Sequence, residues 1–145
     1  MSNAFATHDT SFHALATRVP DARRSRFLPN LFGRRHLLVA EACVYSFMQW
    51  LSPADYAGGY WHFLEQNGLP LYLAPAAPSN FRICCRTNGY EGELTADAAG
   101  IVATLFAFSH LAFEIGDDQL SESFHRLRDH AGRHGEAAKI FSAID

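Results

Sequence analysis

Between His36 and Leu51 the apolar side chains recur at Leu37, Ala40, Val44, Phe47, Met48 and Leu51. That three-to-four-residue spacing lays one face of a helix against a core. Val39, Cys43 and Trp50 widen the apolar arc, Glu41, Gln49 and Ser52 fall opposite it, and Pro53 ends it. The period then changes. Tyr60–Glu65 alternates as a strand with Trp61 and Phe63 on one face. Asn67-Gly68 is a hairpin turn, and Leu69–Ala74 is the returning strand. A Pro75–Pro78 connection leads to a third alternating run, Phe81–Thr87, in which Phe81, Ile83 and Cys85 oppose Arg82, Cys84 and Arg86. Asn88-Gly89 and Glu91-Gly92 read as turns.

Thr95 is a good helix N-cap and Asp97 suits the first turn after it. Ala98–Phe113 carries no charge, but Gly100, Thr104, Ser109 and His110 interrupt it, which predicts a central buried helix and not a membrane span. Gly116 ends that run, Gln119–Ala131 is amphipathic through Leu120, Phe124, Leu127 and Ala131, and Ile140, Phe141 and Ile144 mark a short last helix. The expected fold is therefore α+β: a small antiparallel three-stranded meander, extendable to a fourth strand, packed with about four helices, one before the sheet and three after it. Residues 18–145 read as a single domain, and the polar residues 1–17 as a loosely held extension. Val19–Arg35 is basic, with Arg23, Arg24, Arg26, Arg34 and Arg35 against Asp21. Broken by Pro20 and Pro29, and anchored by Phe27, Leu28, Leu31 and Phe32, it reads as an arm lying over the core with its arginines in solvent.

Composition narrows the function. With 145 residues, 48% of them hydrophobic and 19% charged, the chain is an ordinary folding sequence and not a disordered one. Three cysteines, Cys43, Cys84 and Cys85, without framework spacing, point to buried thiols in a reducing cytoplasm. Duplex DNA carries one charge per ~1.7 Å of axis, so a domain roughly 38 Å across would need on the order of 20 net negative charges to imitate it. The 15 acidic and 12 basic residues leave −3, which excludes mimicry by bulk charge. A pI near 6.2 argues equally against strong non-specific DNA binding.

Candidate chemistry is sparse. Glu122 and His125 lack the second matching pair that a carboxylate-bridged metal bundle needs. His130 and His134 are one turn apart but flank Gly132, and no zinc motif or phosphate loop is present, so neither metal nor cofactor is expected and the histidines read as solvated. His110 and Glu114, one turn apart, are the most plausible acid–base pair, although a histidine in such a helix ordinarily makes a local hydrogen bond. Asp55, Glu91 and Glu93 are carboxylates on turns that could meet at one end of the sheet.

The blocks R-R-S-R-F-L-P-N-L-F-G (23–33), E-A-C-V-Y-S (41–46), A-D-Y-A-G-G-Y-W-H-F (54–63), N-G-L-P-L-Y-L-A-P (67–75), N-G-Y-E-G-E-L-T-A-D-A-A-G-I (88–101) and E-A-A-K-I-F-S-A-I-D (136–145) together resemble the ArdB/KlcA family of antirestriction proteins. The likeness covers nearly everything from Val19 onward; residues 1–17 are unmatched. It implies a small α+β domain of mobile-element origin, without a catalytic residue, that relieves type I restriction of incoming DNA. Its implied partner is the type I restriction-modification machinery or an associated host protein. It implies no membrane and no DNA mimicry. The candidate contact surface is Asp55, Tyr56, Gly58 and Gly59 on an exposed turn, Glu91 and Glu93, and Arg23, Arg24 and Arg26. Two alternatives remain: a nucleic-acid-binding module on the 23–35 arginines, and a small enzyme around His110 and Glu114.

Overall fold

The computed structural model describes residues 16–145, so the expected extension lies, apart from Ala16 and Thr17, outside the described residues. Along the chain come β1 (Thr17–Arg18), a 3-10 turn (Asp21–Arg23), α1 (Arg24–Phe32), α2 (Leu37–Leu51), β2 (Trp61–Gln66), β3 (Leu69–Pro75), β4 (Phe81–Cys85), β5 (Tyr90–Leu94), α3 (Ala96–Ile115), α4 (Asp118–Ala131) and α5 (Ala137–Ile144). The α+β class is as expected.

The strands pair differently from a single meander. One antiparallel sheet has the order β1-β2-β3, and β4 with β5 forms a separate antiparallel pair. The hairpin at Asn67-Gly68 is present, with Asn67 at φ 53° and Gly68 at φ 78°. Phe81–Cys85 does not extend that sheet because α3 occupies the outer edge of β3. There the Thr104 hydroxyl accepts from the Leu73 N–H at 3.3 Å and faces its carbonyl at 3.4 Å. Glu91-Gly92 is not a turn. It lies within β5, with Glu91 opposite Cys84 and Glu93 opposite Arg82.

The basic arm is also more ordered than expected. Thr17 pairs with Glu65 and Arg18 with Leu64, and α1 runs through Pro29. Proline forfeits one bond there, but Phe27, Leu31 and Phe32 are buried on one face of the helix, and this burial outweighs the lost bond. Helix α2 buries Ala40, Val44, Met48 and Leu51, as its spacing requires. Helix α3 is long and apolar enough to cross a membrane by length and composition, yet most of it is buried among the other elements. Its last turns emerge, so His110 is exposed and not a core residue. Thr95 caps α3 by accepting from Ala98 N–H at 3.2 Å.

Candidate functional site

The arginines at the start of α1 divide by role. Arg23 makes a two-pronged pair with Glu65, at 2.9 Å and 2.6 Å. Glu65 is nearly buried on β2, and the guanidinium hydrogen bonds hold its carboxyl below the usual carboxylate range despite the opposing effect of burial. Arg24 lies over the Phe63 ring at 3.9 Å and the Tyr60 ring at 4.6 Å, and Phe27 stacks on Phe63 at 4.5 Å. These two arginines fasten α1 to the sheet: Arg23 stays exposed to solvent while paired with Glu65, and Arg24 is half-buried over the rings. Arg26 is exposed beside a 170 Å³ groove that Glu65 and Pro70 also line.

The turn between α2 and β2 joins this region to the β4-β5 hairpin. At one end the Asp55 carboxylate accepts from the Arg82 N–H at 2.7 Å, holding the first residues of β4. At the other end Tyr60 lies beneath Arg24. Gly58 and Gly59 have φ of 89° and 115° and are exposed with open space around them, so they supply the backbone turn and leave a bare surface. Tyr56 is not part of an exposed turn. It is buried, accepts a hydrogen bond from Trp61 Nε1 at 3.1 Å, and meets the Trp61 ring edge-on. A tyrosine buried this way carries its hydroxyl inward because the indole N–H needs an acceptor. Glu91 and Glu93 are exposed, and with Arg82 and Cys84 they line a 430 Å³ shallow concavity on the hairpin. The turn carboxylates do gather in part: Asp55 holds Arg82, whose partner across the strands is Glu93.

The best-organised polar cluster is one that the sequence reading did not single out. Asp97, in the first turn of α3, accepts from the Tyr72 hydroxyl at 2.7 Å and pairs with His134 Nε2 at 2.8 Å. His134 Nδ1 accepts from the Glu136 N–H at 2.9 Å, so its proton sits on Nε2, facing Asp97. Burial alone would raise the Asp97 carboxyl; the hydrogen bonds from His134 and Tyr72 hold it below the usual range. Burial and the neighbouring carboxylate push the Tyr72 hydroxyl far upward. His130 is buried beside the Tyr72 ring with Nδ1 lacking a hydrogen-bond partner, and desolvation pushes its pKa down, so it is held neutral. His130 and His134 are therefore not solvated histidines. Their one-turn spacing and the Asp97 cap position were the visible signals; what joins them is the return of the α4–α5 connection to the α3 N-terminus. Glu136 reinforces it by accepting from the Thr95 N–H at 3.1 Å and the Thr95 hydroxyl at 2.5 Å.

Asp97 also lines a 420 Å³ cleft with Arg18, His62, Asn80 and Thr95. Burial, with Arg18 and Arg24 nearby, keeps the His62 imidazole below its ordinary pKa. The arrangement can hold a charged group. Its hydroxyl–carboxylate pairs, Thr95 with Glu136 and Tyr72 with Asp97, tie the N-terminus of α3 to β3 and to the α4–α5 connection. His110 has an edge contact with Phe47 at 6.0 Å, and neither it nor Glu114 lines a cleft described above. Among the described residues no group of three or more His, Cys, Asp or Glu side chains could hold a metal ion.

Comparison with known proteins places this geometry. The family profile described as "Antirestriction protein" matches residues 54–145. An "Antirestriction protein KlcA" of Escherichia coli is 46% identical over 137 residues, covering 90% of this chain and 93% of that protein. The "Uncharacterized protein YfjX" of Escherichia coli strain K12 is 32% identical over 139 residues, covering 94% of this chain and 91% of its own length. A solved structure superposes with a TM-score of 0.81 at 46% identity, covering 90% of this chain and 94% of that one. It is described as "The structure of the KlcA and ArdB proteins show a novel fold and antirestriction activity against Type I DNA restriction systems in vivo but not in vitro". By profile, by identity across nearly its whole length and by fold, this chain belongs to the antirestriction protein family.

Proposed function

We propose that this protein relieves type I restriction of incoming DNA in the bacterial cytoplasm, and that it does so by touching protein and not by imitating DNA. The observation that carries the reading is the joint 46% identity and 0.81 TM-score to a structure described as antirestriction-active in vivo. The same description reports no activity in vitro. That pattern fits a protein that acts with a host component missing from the purified reaction, either an associated protein or an assembled state of the restriction machinery. A net charge of −3 supports the exclusion of mimicry. We assign the contact to the exposed turn at Gly58 and Gly59 with Glu91 and Glu93, with Arg26 as a basic outlier. These groups are exposed and carry no bond described above, whereas Arg23, Arg24, Asp55 and Tyr56 are occupied in holding the fold. The test is the plating efficiency of unmodified phage on a type I restricting host, with and without the expressed chain. Restored plating supports the reading, and unchanged restriction by a folded, expressed protein removes it.

A further inference from the structure

Phe113 stands 86% exposed on the last turn of α3. Earlier on the same helix, Leu105, Phe106 and Ser109 wall a 240 Å³ cavity, which Phe124 and Arg128 of α4 and Ile144 and Asp145 at the C-terminus close. Ser109 and Phe113 are spaced i, i+4, and Phe106 precedes Phe113 by seven, so all three fall on one stripe of the helix. A protruding ring and a hole therefore share a stripe, about 9 Å apart along the axis at 1.5 Å per residue. Such a stripe is self-complementary. Two copies of α3 laid antiparallel about a two-fold axis near His110 bring each Phe113 over the other copy's cavity at once. A cavity of about 150 Å³ accepts benzene, so the volume suits one phenyl ring.

Charge agrees with this pairing. Glu114 follows Phe113, and the Arg128 guanidinium lies at the cavity, 4.9 Å over the Phe141 ring. A ring entering the hole carries its neighbouring carboxylate to an opposite charge; Asp145 is the like charge on the rim. Antiparallel helices also set their dipoles against each other favourably. Val39, Cys43 and Phe47 of α2 remain accessible beside the stripe, extending the apolar face toward the ~800 Å² per partner that a specific interface needs.

We propose that the outer face of α2 and α3 is the interface of a two-fold homodimer in which Phe113 of each copy fills the Leu105–Phe124 cavity of the other. This inference rests on geometry alone and stands apart from the antirestriction reading. The experiment is sedimentation equilibrium of the full chain over a concentration series, for the wild type, Phe113→Asp and Ser109→Trp. The wild type should dimerise with concentration. Both variants should weaken the dimer at least tenfold, and Phe113→Asp, altering an exposed side chain, should melt as the wild type does. His110→Cys, near the axis, should cross-link to itself under mild oxidation, whereas Glu91→Cys on the hairpin should not. A wild type that stays monomeric, whether a host protein or residues 1–15 cover the face, overturns the proposal. So does a dimer that survives Phe113→Asp or fails to cross-link through position 110.

Discussion

The Thr104 hydroxyl of α3 faces both backbone polar groups of Leu73, accepting from its N–H at 3.3 Å and lying 3.4 Å from its carbonyl. At this point β3 ceases to be an open edge and the sheet stops at three strands. One turn earlier Gly100 makes the approach possible. A Cβ there would overlap the Leu73 carbonyl oxygen and come within 2.5 Å of the Ala74 Cα. Thr104→Val keeps the volume but leaves two buried backbone groups unpaired, a loss of about 1–3 kcal/mol. Gly100→Ala forces α3 off the sheet and should cost about 1–3 kcal/mol through overpacking, or more. Urea unfolding checks both, through a lower midpoint at unchanged slope. A neutral Gly100→Ala would contradict the close approach.

Tyr72 ties β3 to Asp97 from a fully buried position. Tyr72→Phe removes a hydrogen bond to a carboxylate and nothing else, so it should lower stability by about 1.5–3 kcal/mol. The Asp97 carboxyl should then titrate at higher pH, because one of the two bonds that hold it down is gone. Carbon-detected NMR of the carboxyl reads this directly, and an unmoved titration would show that the network does not tune Asp97.

Acid should lower the stability of the protein over two separate pH windows. His130 is held neutral by burial, with the His134 imidazole, the Arg133 guanidinium and the Asp97 carboxylate nearby. Its folded pKa lies below the ordinary 6.5, so the unfolded chain binds the extra proton first and stability falls as pH drops below that value. Glu65 and Asp97 have folded pKa values below their ordinary 4.5 and 3.8. Their stabilisation is present above those values and is lost as pH falls through the folded ones. Melting temperature measured from pH 7 to pH 3 should decline in both windows. His130→Gln should flatten the upper window and leave the lower one.

The Glu91 and Glu93 side chains are exposed on β5, and their fold contacts are made by the backbone, through the ladder to β4 and the Glu93 carbonyl that accepts from Lys139 Nζ at 3.4 Å. Reversing both to lysine should leave the melting temperature nearly unchanged, within the about ±0.5 kcal/mol usual for surface substitutions. On the proposed function it should abolish relief of restriction. Full activity in the double variant would move the contact surface elsewhere.

Periodicity exposed most of the elements, and chain-to-chain pairing exposed few of them. Leu37–Leu51, the Asn67-Gly68 hairpin and the Thr95 cap follow from local spacing and turn chemistry, and they appear where the residues put them. The Gly92 step was misread as a turn because glycine there serves a different need: the Tyr90 hydroxyl lies 2.5 Å from where a Cβ would be. Tyr56 was misread because its acceptor role depends on Trp61 returning over it. Arg23 could not be matched to Glu65, nor His134 to Asp97, since these pairs are 42 and 37 residues apart and nothing local announces them. Proline at position 29 pointed to a break, and only the burial of Phe27 and Leu31 against the sheet and helices overrides it.

The most direct measurement of the central claim compares plating of unmodified phage on a type I restricting strain and on its restriction-deficient parent, each with and without this chain. Relief confined to the restricting strain, together with no inhibition of the purified type I enzyme by the purified protein, is the expected result. Unchanged restriction in cells containing the folded protein would contradict it, and so would salt-sensitive DNA binding strong enough to explain the relief without a protein partner.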